Sequence, residues 1–352
     1  MIGVDVSASA VKMLELSGHG KLKGKLNGGH KVERYAIAPL PRDAVQDGAI
    51  TKIEAVEEAM RSAWKALNTR TRDVVMALPA ASVITKKIML LKEASEAEID
   101  EQVTAEANQA ASFPINDISL DYQILGPNLK NPDENDALLI LARRERVEER
   151  VALAESVGLK VVVMDVDSYA SLTVYEELAL QLPDQGKNKT VAVIDIGAQA
   201  THVNVVHDNQ SVYQREHTLG GSALTNEISR RFDLPVEEAE DAKRKGLLPD
   251  SYESEVLQPF MDSVAQEIGR ALQLFYSSGI HQNVDYIFLA GGCAAIPGLD
   301  RVVQNRMKIN TVIANPFAKM TFANTVKQKQ LALDAPALFV ACGLALRRFD
   351  PA

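Results

Sequence analysis

The 352-residue chain has only two cysteines, Cys293 and Cys342. That is too few for a disulfide framework or a thiolate metal cluster, and it predicts a reducing compartment. Its six histidines (His19, His30, His202, His207, His217 and His281) fall mostly in loops or at strand ends and show no metal-ligand spacing. Positive charge is also short: 38 Lys and Arg face 47 Asp and Glu, a formal net charge of −9. A general nucleic-acid role needs a basic face for phosphates and loses support. Neither GxGxxG nor GxxxxGK[ST] occurs, which weighs against dinucleotide-fold and P-loop readings. No apolar run approaches the length of a membrane span. A first strand that begins at Ile2 and carries Asp5 does not read as a signal peptide. The expectation is a cytoplasmic protein that meets a membrane only through a partner.

What is present is enough for a sizeable core. Hydrophobic residues make up 46% and charged residues 24%, and the length suggests about two domains. The informative stretch is residues 190–206, TVAVIDIGAQATHVNVV. An apolar run reaches Asp195, turns through Gly197-Ala198-Gln199-Ala200, and returns through Val203 to Val206. This is the pattern of a buried strand, a tight turn and a second strand. An acid at the end of a buried strand costs free energy unless a cation or a donor waits there. Beside exposed N–H groups and the Thr201 hydroxyl, such an acid suggests a phosphate and Mg²⁺ site. The chain begins with the same pattern: Ile2-Gly3-Val4-Asp5-Val6-Ser7-Ala8-Ser9-Ala10-Val11-Lys12-Met13. Asp5 matches Asp195, Ser7 stands where Gly197 stands, and the long separation implies domain duplication.

The remaining segments alternate strands with helices, so the fold class is α/β. Residues 18–31 form a basic, glycine-rich loop, read as a solvated hairpin tip that could also touch anionic lipid. A helix over 53–67 and a strand over 74–78 follow. Residues 83–157 read as an inserted β-α-β-β-α block, its first helix opening on the capping box Ser95-Glu96-Ala97-Glu98. Residues 183–189 are the best linker. A third glycine motif, Ala290-Gly291-Gly292-Cys293, follows a buried strand over 284–290. Backbone free of side chains there could lie against a ligand, and a tight turn explains it equally well. A closing apolar helix covers 336–348.

Two Asp-bearing hairpins followed by strand-Gly-Gly-helix resemble the actin, Hsp70 and sugar-kinase superfamily over residues 2–346. An insert placed after Leu78 and before the second hairpin resembles the FtsA type. Further segments resemble the PilM family of type IV pilus assembly: Val163-Met164-Asp165-Val166-Asp167-Ser168-Tyr169-Ala170, Leu219-Gly220-Gly221, residues 236–243, and Ala335-Pro336-Ala337-Leu338 through Cys342-Gly343-Leu344-Ala345-Leu346. The resemblance implies a duplicated actin-like ATPase fold with two lobes around a nucleotide cleft. It divides the chain into a first lobe (1–79 and 159–182), an inserted FtsA-type subdomain (80–158), a second lobe (183–335) and a closing helix (336–352). The family's chains usually carry a short extra segment ahead of the first strand, so the expectation is that such a segment has been removed here.

Residue by residue, the resemblance implies Mg²⁺ held by Asp5 and Asp195 through waters. Ser7, Ser9 and Lys12 would clamp the phosphates of ATP or ADP from the first hairpin, and Gly197, Gln199 and Thr201 from the second. Gly220 and Gly221, at a helix start, would face the phosphates. Glu240 and Lys243 resemble the ribose- and adenine-contacting pair, or are a solvated i,i+3 ion pair. Gly291 and Gly292 would admit the adenosine. Ser7 in place of the usual glycine crowds the first turn. Asp167 stands where the superfamily keeps a water-orienting Glu or Gln, or caps the helix that follows, which is the favoured alternative.

The function implied is an ATP-binding scaffold, at most a slow ATPase. It would bind the cytoplasmic N-terminal peptide of PilN in a groove by the strands over 83–90 and 137–142. Pilus motor ATPases, other inner-membrane pilus proteins and weak self-association are further implied partners, with twitching motility as the process served. The alternatives are a sugar-kinase-like phosphotransferase, for which no second polar constellation is evident, and an FtsA-like filament former, for which no C-terminal amphipathic helix is evident.

Overall fold

The computed structural model describes residues 1–18, 29–279 and 283–350. The predicted loop tip at 19–28, with His19, and the region of His281 lie outside the described residues. The first lobe opens with β1 (Ile2–Val6), β2 (Ala10–Gly18) and β3 (His30–Pro39), followed by a small hairpin, β4 (Val45–Gln46) and β5 (Ala49–Ile50). Then come α1 (Ile53–Leu67) and β6 (Asp73–Leu78). The insert is β7 (Val83–Leu91), α2 (Glu96–Ala110), β8 (Ile118–Pro127), β9 (Glu134–Arg143) and α3 (Arg144–Ser156). The chain returns through β10 (Lys160–Val166) and α4 (Asp167–Ala179).

The second lobe runs β11 (Thr190–Ile196), β12 (Thr201–His207), β13 (Gln210–His217), α5 (Gly221–Phe232), α6 (Val236–Lys245) and α7 (Gln258–Ser277). It continues with β14 (Tyr286–Ala290), α8 (Leu299–Met307), β15 (Asn310–Ile313) and β16 (Thr321–Phe322), and the chain ends on α9 (Gln328–Asp334) and α10 (Phe339–Leu346).

The duplication is visible in the strand order. One sheet runs β10-β6-β1-β2-β3-β16 and the other β15-β14-β11-β12-β13. Apart from β16, they match strand for strand: two antiparallel pairs on one side of β1 or β11, two parallel pairs on the other. The physical cause is the same in both lobes. The central strands are apolar on both faces, with Ile2, Val4 and Val191 to Ile194 buried. A strand buried on both faces needs helices above and below.

Three cores result. One, around Ile2, Val4 and Val11, packs against α1 through Val56, Met60 and Leu67. These α1 positions repeat at helical spacing, so one face of the helix is apolar. Another packs β11, β12 and β14 against α5 and α7. Between the sheets lies a shared core of Leu14, Leu16, Val191, Val193 and Phe288 with α4 and α10. The closing helix α10 follows the second lobe in sequence and packs on β1 and α4 of the first.

The insert has its own core, in which β7-β9-β8 carries α2 across one face through Ile88, Leu90, Val103, Ala107 and Leu139. The Ser95 capping box forms as the sequence predicts: Ser95 Oγ accepts from Glu98 N, and Glu98 reaches back to the Ser95 N–H. Such a cap contributes about 1 kcal/mol. The last helix of the block, α3, sets Leu153 and Ala154 into the first-lobe core. Its place in sequence puts it with the insert, while its packing puts it with the first lobe.

One expectation requires correction. Residues Gln328–Phe349 form a helical stretch that is long and apolar enough to cross a membrane by length and composition, with 61% of it buried inside the fold. The sequence reading missed it because Pro336 and the short turn around it break the run into pieces. Leu331, Leu338, Phe339, Ala341 and Leu346 serve the shared core, which accounts for their apolarity.

Candidate functional site

Both acid-bearing turns are built alike. Ser7 N donates to Ala10 O at 3.1 Å, and Gly197 N to Ala200 O at 2.9 Å. The turns place Asp5 opposite Lys12 and Asp195 opposite His202 in register. The Ser7 hydroxyl folds back and donates to Ala10 O at 2.9 Å. Ser9 lies in the same turn, and its carbonyl accepts from Leu40 N at 2.9 Å.

The strand ends bring three carboxylates into one electrostatic environment: Asp5, Asp167 and Asp195. Asp5 is neutralised within its own hairpin by Lys12 Nζ, 2.9 Å from Oδ2. Among the described residues none donates a hydrogen bond or forms an ion pair to the Asp195 carboxylate. Its pKa is pushed up, chiefly by burial and further by the charge of Asp5, against the opposing charges of His202 and Lys12. The charge of Asp5 therefore reaches Asp195. Asp167 is pushed up to about 6, again chiefly by burial with Asp5 adding, against His202 and the Ala80 N–H.

The N-cap of α4 is Val166, with no side-chain capping bond. Asp167 Oδ1 instead accepts from Ala80 N at 3.0 Å, and so ties α4 to the chain entering the insert.

Some predicted phosphate clamps have other work. Thr201 is buried, and its hydroxyl donates to Leu219 O at 2.6 Å. The first amides of α5 are also committed: Gly221 N donates to Gly197 O at 3.0 Å and Ser222 N to Ala198 O at 2.8 Å. A side chain on Gly220 would place its Cβ 2.5 Å from Ala198 O. The two glycines thus let α5 dock onto the second turn, which spends the Gly221 N–H expected to face phosphate. Gln199 spans the lobes instead of turning inward. Its Nε2 donates to Val45 O at 3.1 Å and its Oε1 accepts from Asp47 N at 3.3 Å.

Gly291 has φ +85, and a Cβ there would lie 2.3 Å from Asp195 Oδ1 and 2.4 Å from Ile196 O. Its first duty is to let β14 close on the acid. Gly292 has nothing within 4 Å of an added Cβ, so its backbone faces open space. Glu240 and Lys243 are more than a solvated pair. Lys243 Nζ lies 2.6 Å from both Glu240 Oε2 and Thr225 Oγ1, Thr225 donates to the same oxygen at 2.5 Å, and Arg244 Nε donates to Oε1 at 2.8 Å. Burial acts to raise the Glu240 pKa, but these hydrogen bonds and the Lys243 charge outweigh it and take the pKa down to about 2.

Three participants escaped the sequence reading. Arg150 on α3 is buried, donates to Gly48 O at 2.9 Å, and feels the charges of Asp5 and Asp167. It looked like one more charge on a charged helix. Cys293 Sγ lies 3.4 Å from Gly197 O, beneath the second turn, with its thiol pushed up to about 11, chiefly by burial. The β4–β5 hairpin had no reading, although Asp47-Gly48 is a strong two-residue hairpin-turn signal.

Two duplicated sheets with acid-bearing hairpins turned to a common cleft define an actin-like protein. The solved PilM-PilN type IV pilus biogenesis complex is similar, with 27% identity, TM-score 0.80, and coverage of 99% of this chain and 98% of that one. A family profile described as type IV pilus assembly protein PilM matches residues 3–349, and the chain belongs to that family. The ethanolamine utilization protein EutJ of Carboxydothermus hydrogenoformans shares the fold alone, at 14% identity and TM-score 0.52 over 98% of this chain and 88% of that one. Among curated proteins, EutJ of Salmonella typhimurium is 25% identical over 117 residues. The match spans only 37% of that relative's length and 32% of this chain.

Proposed function

We propose that this protein is an ATP-binding scaffold of type IV pilus assembly that holds an N-terminal PilN peptide against its inserted subdomain. The observation that carries the nucleotide half is the Asp195 carboxylate, half-buried at the end of β11, close enough to Asp5 for their charges to interact, and with no hydrogen bond or ion pair to it among the described residues. A carboxylate in that state favours a cation. The residues fit Mg²⁺ held through waters by Asp195 and Asp5, since Mg²⁺ prefers oxygen ligands and keeps much of its hydration. When bound, the ion supplies charge neutralisation at the phosphate oxygens.

Lys12, already beside Asp5, meets the phosphates from the first hairpin. The backbone of Gly292 admits the nucleoside, and the Glu240–Lys243–Thr225 network sits on the α5–α6 side. Asp167, its pKa pushed up to about 6, is suited to orient water and accept a proton.

The partner half rests on the similarity to the solved PilM-PilN complex over nearly the whole chain. Of the two strands expected at the groove, β9 (holding 137–142) is paired on both sides by β7 and β8 and offers no edge, while β7 (holding 83–90) keeps an edge unpaired among the described residues, which suits an extended peptide. Such a peptide, from an inner-membrane protein, would keep this protein at the cytoplasmic face of that membrane.

Calorimetry with MgATP tests the first half. Asp195→Asn should stay folded and bind at least about 30-fold more weakly, roughly 2 kcal/mol. Unchanged affinity would remove the site as drawn. For the second half, a fluorescent PilN N-terminal peptide should bind the full chain, and a flat titration would refute the partner assignment.

A further inference from the structure

We infer that the β4–β5 hairpin is a coupler through which closure of the two lobes is felt by the inserted subdomain, with Gln199 and Arg150 as its positioning residues. This deepens the nucleotide reading above and rests on it.

Three separate parts of the molecule converge on one tight turn. From the second lobe, Gln199 grips it with both ends of its amide, at Val45 O and Asp47 N. From α3, where the chain leaves the insert, Arg150 donates to Gly48 O at 2.9 Å. From the chain entering the insert, Pro79 packs directly on Gly48: a Cβ on that glycine would lie 2.3 Å from Pro79 Cγ. Asp47 and Gly48 both have positive φ, 47° and 75°, so the turn is tight, and only glycine fits its second position against Pro79.

The next residue after Pro79, Ala80, donates to Asp167 at the cleft. Both crossings between the first lobe and the insert therefore touch the hairpin turn, and both are tied to cleft residues: Ala80 to Asp167, and Arg150 to the charges of Asp5 and Asp167.

A ligand can shift a conformational equilibrium only through contacts that differ between the two states. Gln199 belongs to the turn that carries Asp195, while its partners belong to the first lobe. Its two hydrogen bonds exist only when the second turn stands close to the hairpin. A nucleotide that draws the two acid hairpins together favours them, and Gly48 passes the displacement to Pro79 and Arg150.

Hydrogen–deuterium exchange on the full chain, with and without saturating MgATP, tests this. Saturation removes any effect of altered affinity. In the wild type, MgATP should slow exchange at 5–12, 195–201 and 43–50, and also at 80–91 and 134–150. Gln199→Ala should keep the slowing at 5–12 and 195–201 and lose about tenfold of it at 80–91 and 134–150. Gln199→Glu keeps the acceptor for Asp47 N and loses the donor to Val45 O, so it should fall between. Arg150→Lys keeps a charge beside Asp5 and Asp167 with a shorter reach to Gly48 O, and should show the same selective loss at 134–150.

An insert response in Gln199→Ala equal to that of the wild type overturns the inference. Wild-type slowing at the acid hairpins without any in the insert also overturns it and leaves the nucleotide reading standing. No slowing at either acid hairpin would mean that the nucleotide reading has failed and this inference with it.

Discussion

The two acid hairpins are copies that have taken opposite electrostatic courses. In the first, Asp5 has a cation from the facing strand, Lys12, at 2.9 Å. In the second, the facing position holds His202, half exposed and paired with Glu216 at 3.5 Å, and Asp195 has no close partner among the described residues. The first hairpin pairs its acid by itself, whereas the acid of the second has no ion pair among the described residues. Their turns differ in the same sense. Ser7 closes the first turn with its own hydroxyl, while the second is held by the amides of α5. A duplicated fold can therefore keep one backbone and differ in its charges: in one copy the acid is paired with a lysine, in the other it has no ion pair among the described residues.

Opposite signs from one kind of substitution would test this most strongly. Asp5→Asn strands Lys12, a mostly buried ammonium, and should cost about 3 kcal/mol in urea unfolding of the ligand-free protein. Asp195→Asn removes a partly desolvated charge that no ion pair offsets among the described residues, and should stabilise the ligand-free protein at pH 7.5. Equal signs would break the comparison.

Asp167 sharpens it, because the matching strand of the second lobe, β15, leads to the neutral Asn315. Burial raises the folded-state Asp167 pKa to about 6, above its ordinary value of 3.8. The folded protein then holds the extra proton between about pH 4 and 6, so this group's contribution to stability falls as pH rises through that window. A shift of about two units bounds the effect at about 3 kcal/mol. Asp167→Asn keeps an acceptor for the Ala80 N–H. It should gain up to that amount at pH 7.5 and flatten the pH dependence of the unfolding midpoint between 4 and 6.

The smallest effect should come from exchanging the turns. Ser7→Gly loses one hydrogen bond and should cost about 1 kcal/mol. Gly197→Ser should change the thermal midpoint less, because an added Cβ lies 3.0 Å from Ala200 O, tight but beside the acceptor that Ser7 uses in the first hairpin.

The sequence by itself determined the duplication, the alternation of strands and helices, the α2 capping box and the residues at the two turns. These are local patterns: apolar runs, an acid at a strand end, small residues at a turn. They are written in adjacent residues because backbone geometry and burial act over a few positions. It did not determine which polar groups are already spent. Thr201, Gly221 and Gln199 each have a partner 18 or more residues away, at Leu219, Gly197 and Val45. Arg150 is indistinguishable in sequence from the exposed arginines around it until α3 packs against the first lobe. Hydrogen-bond partners and desolvation belong to the assembled fold, and only the tertiary structure could decide that one acid is neutralised and its twin is not.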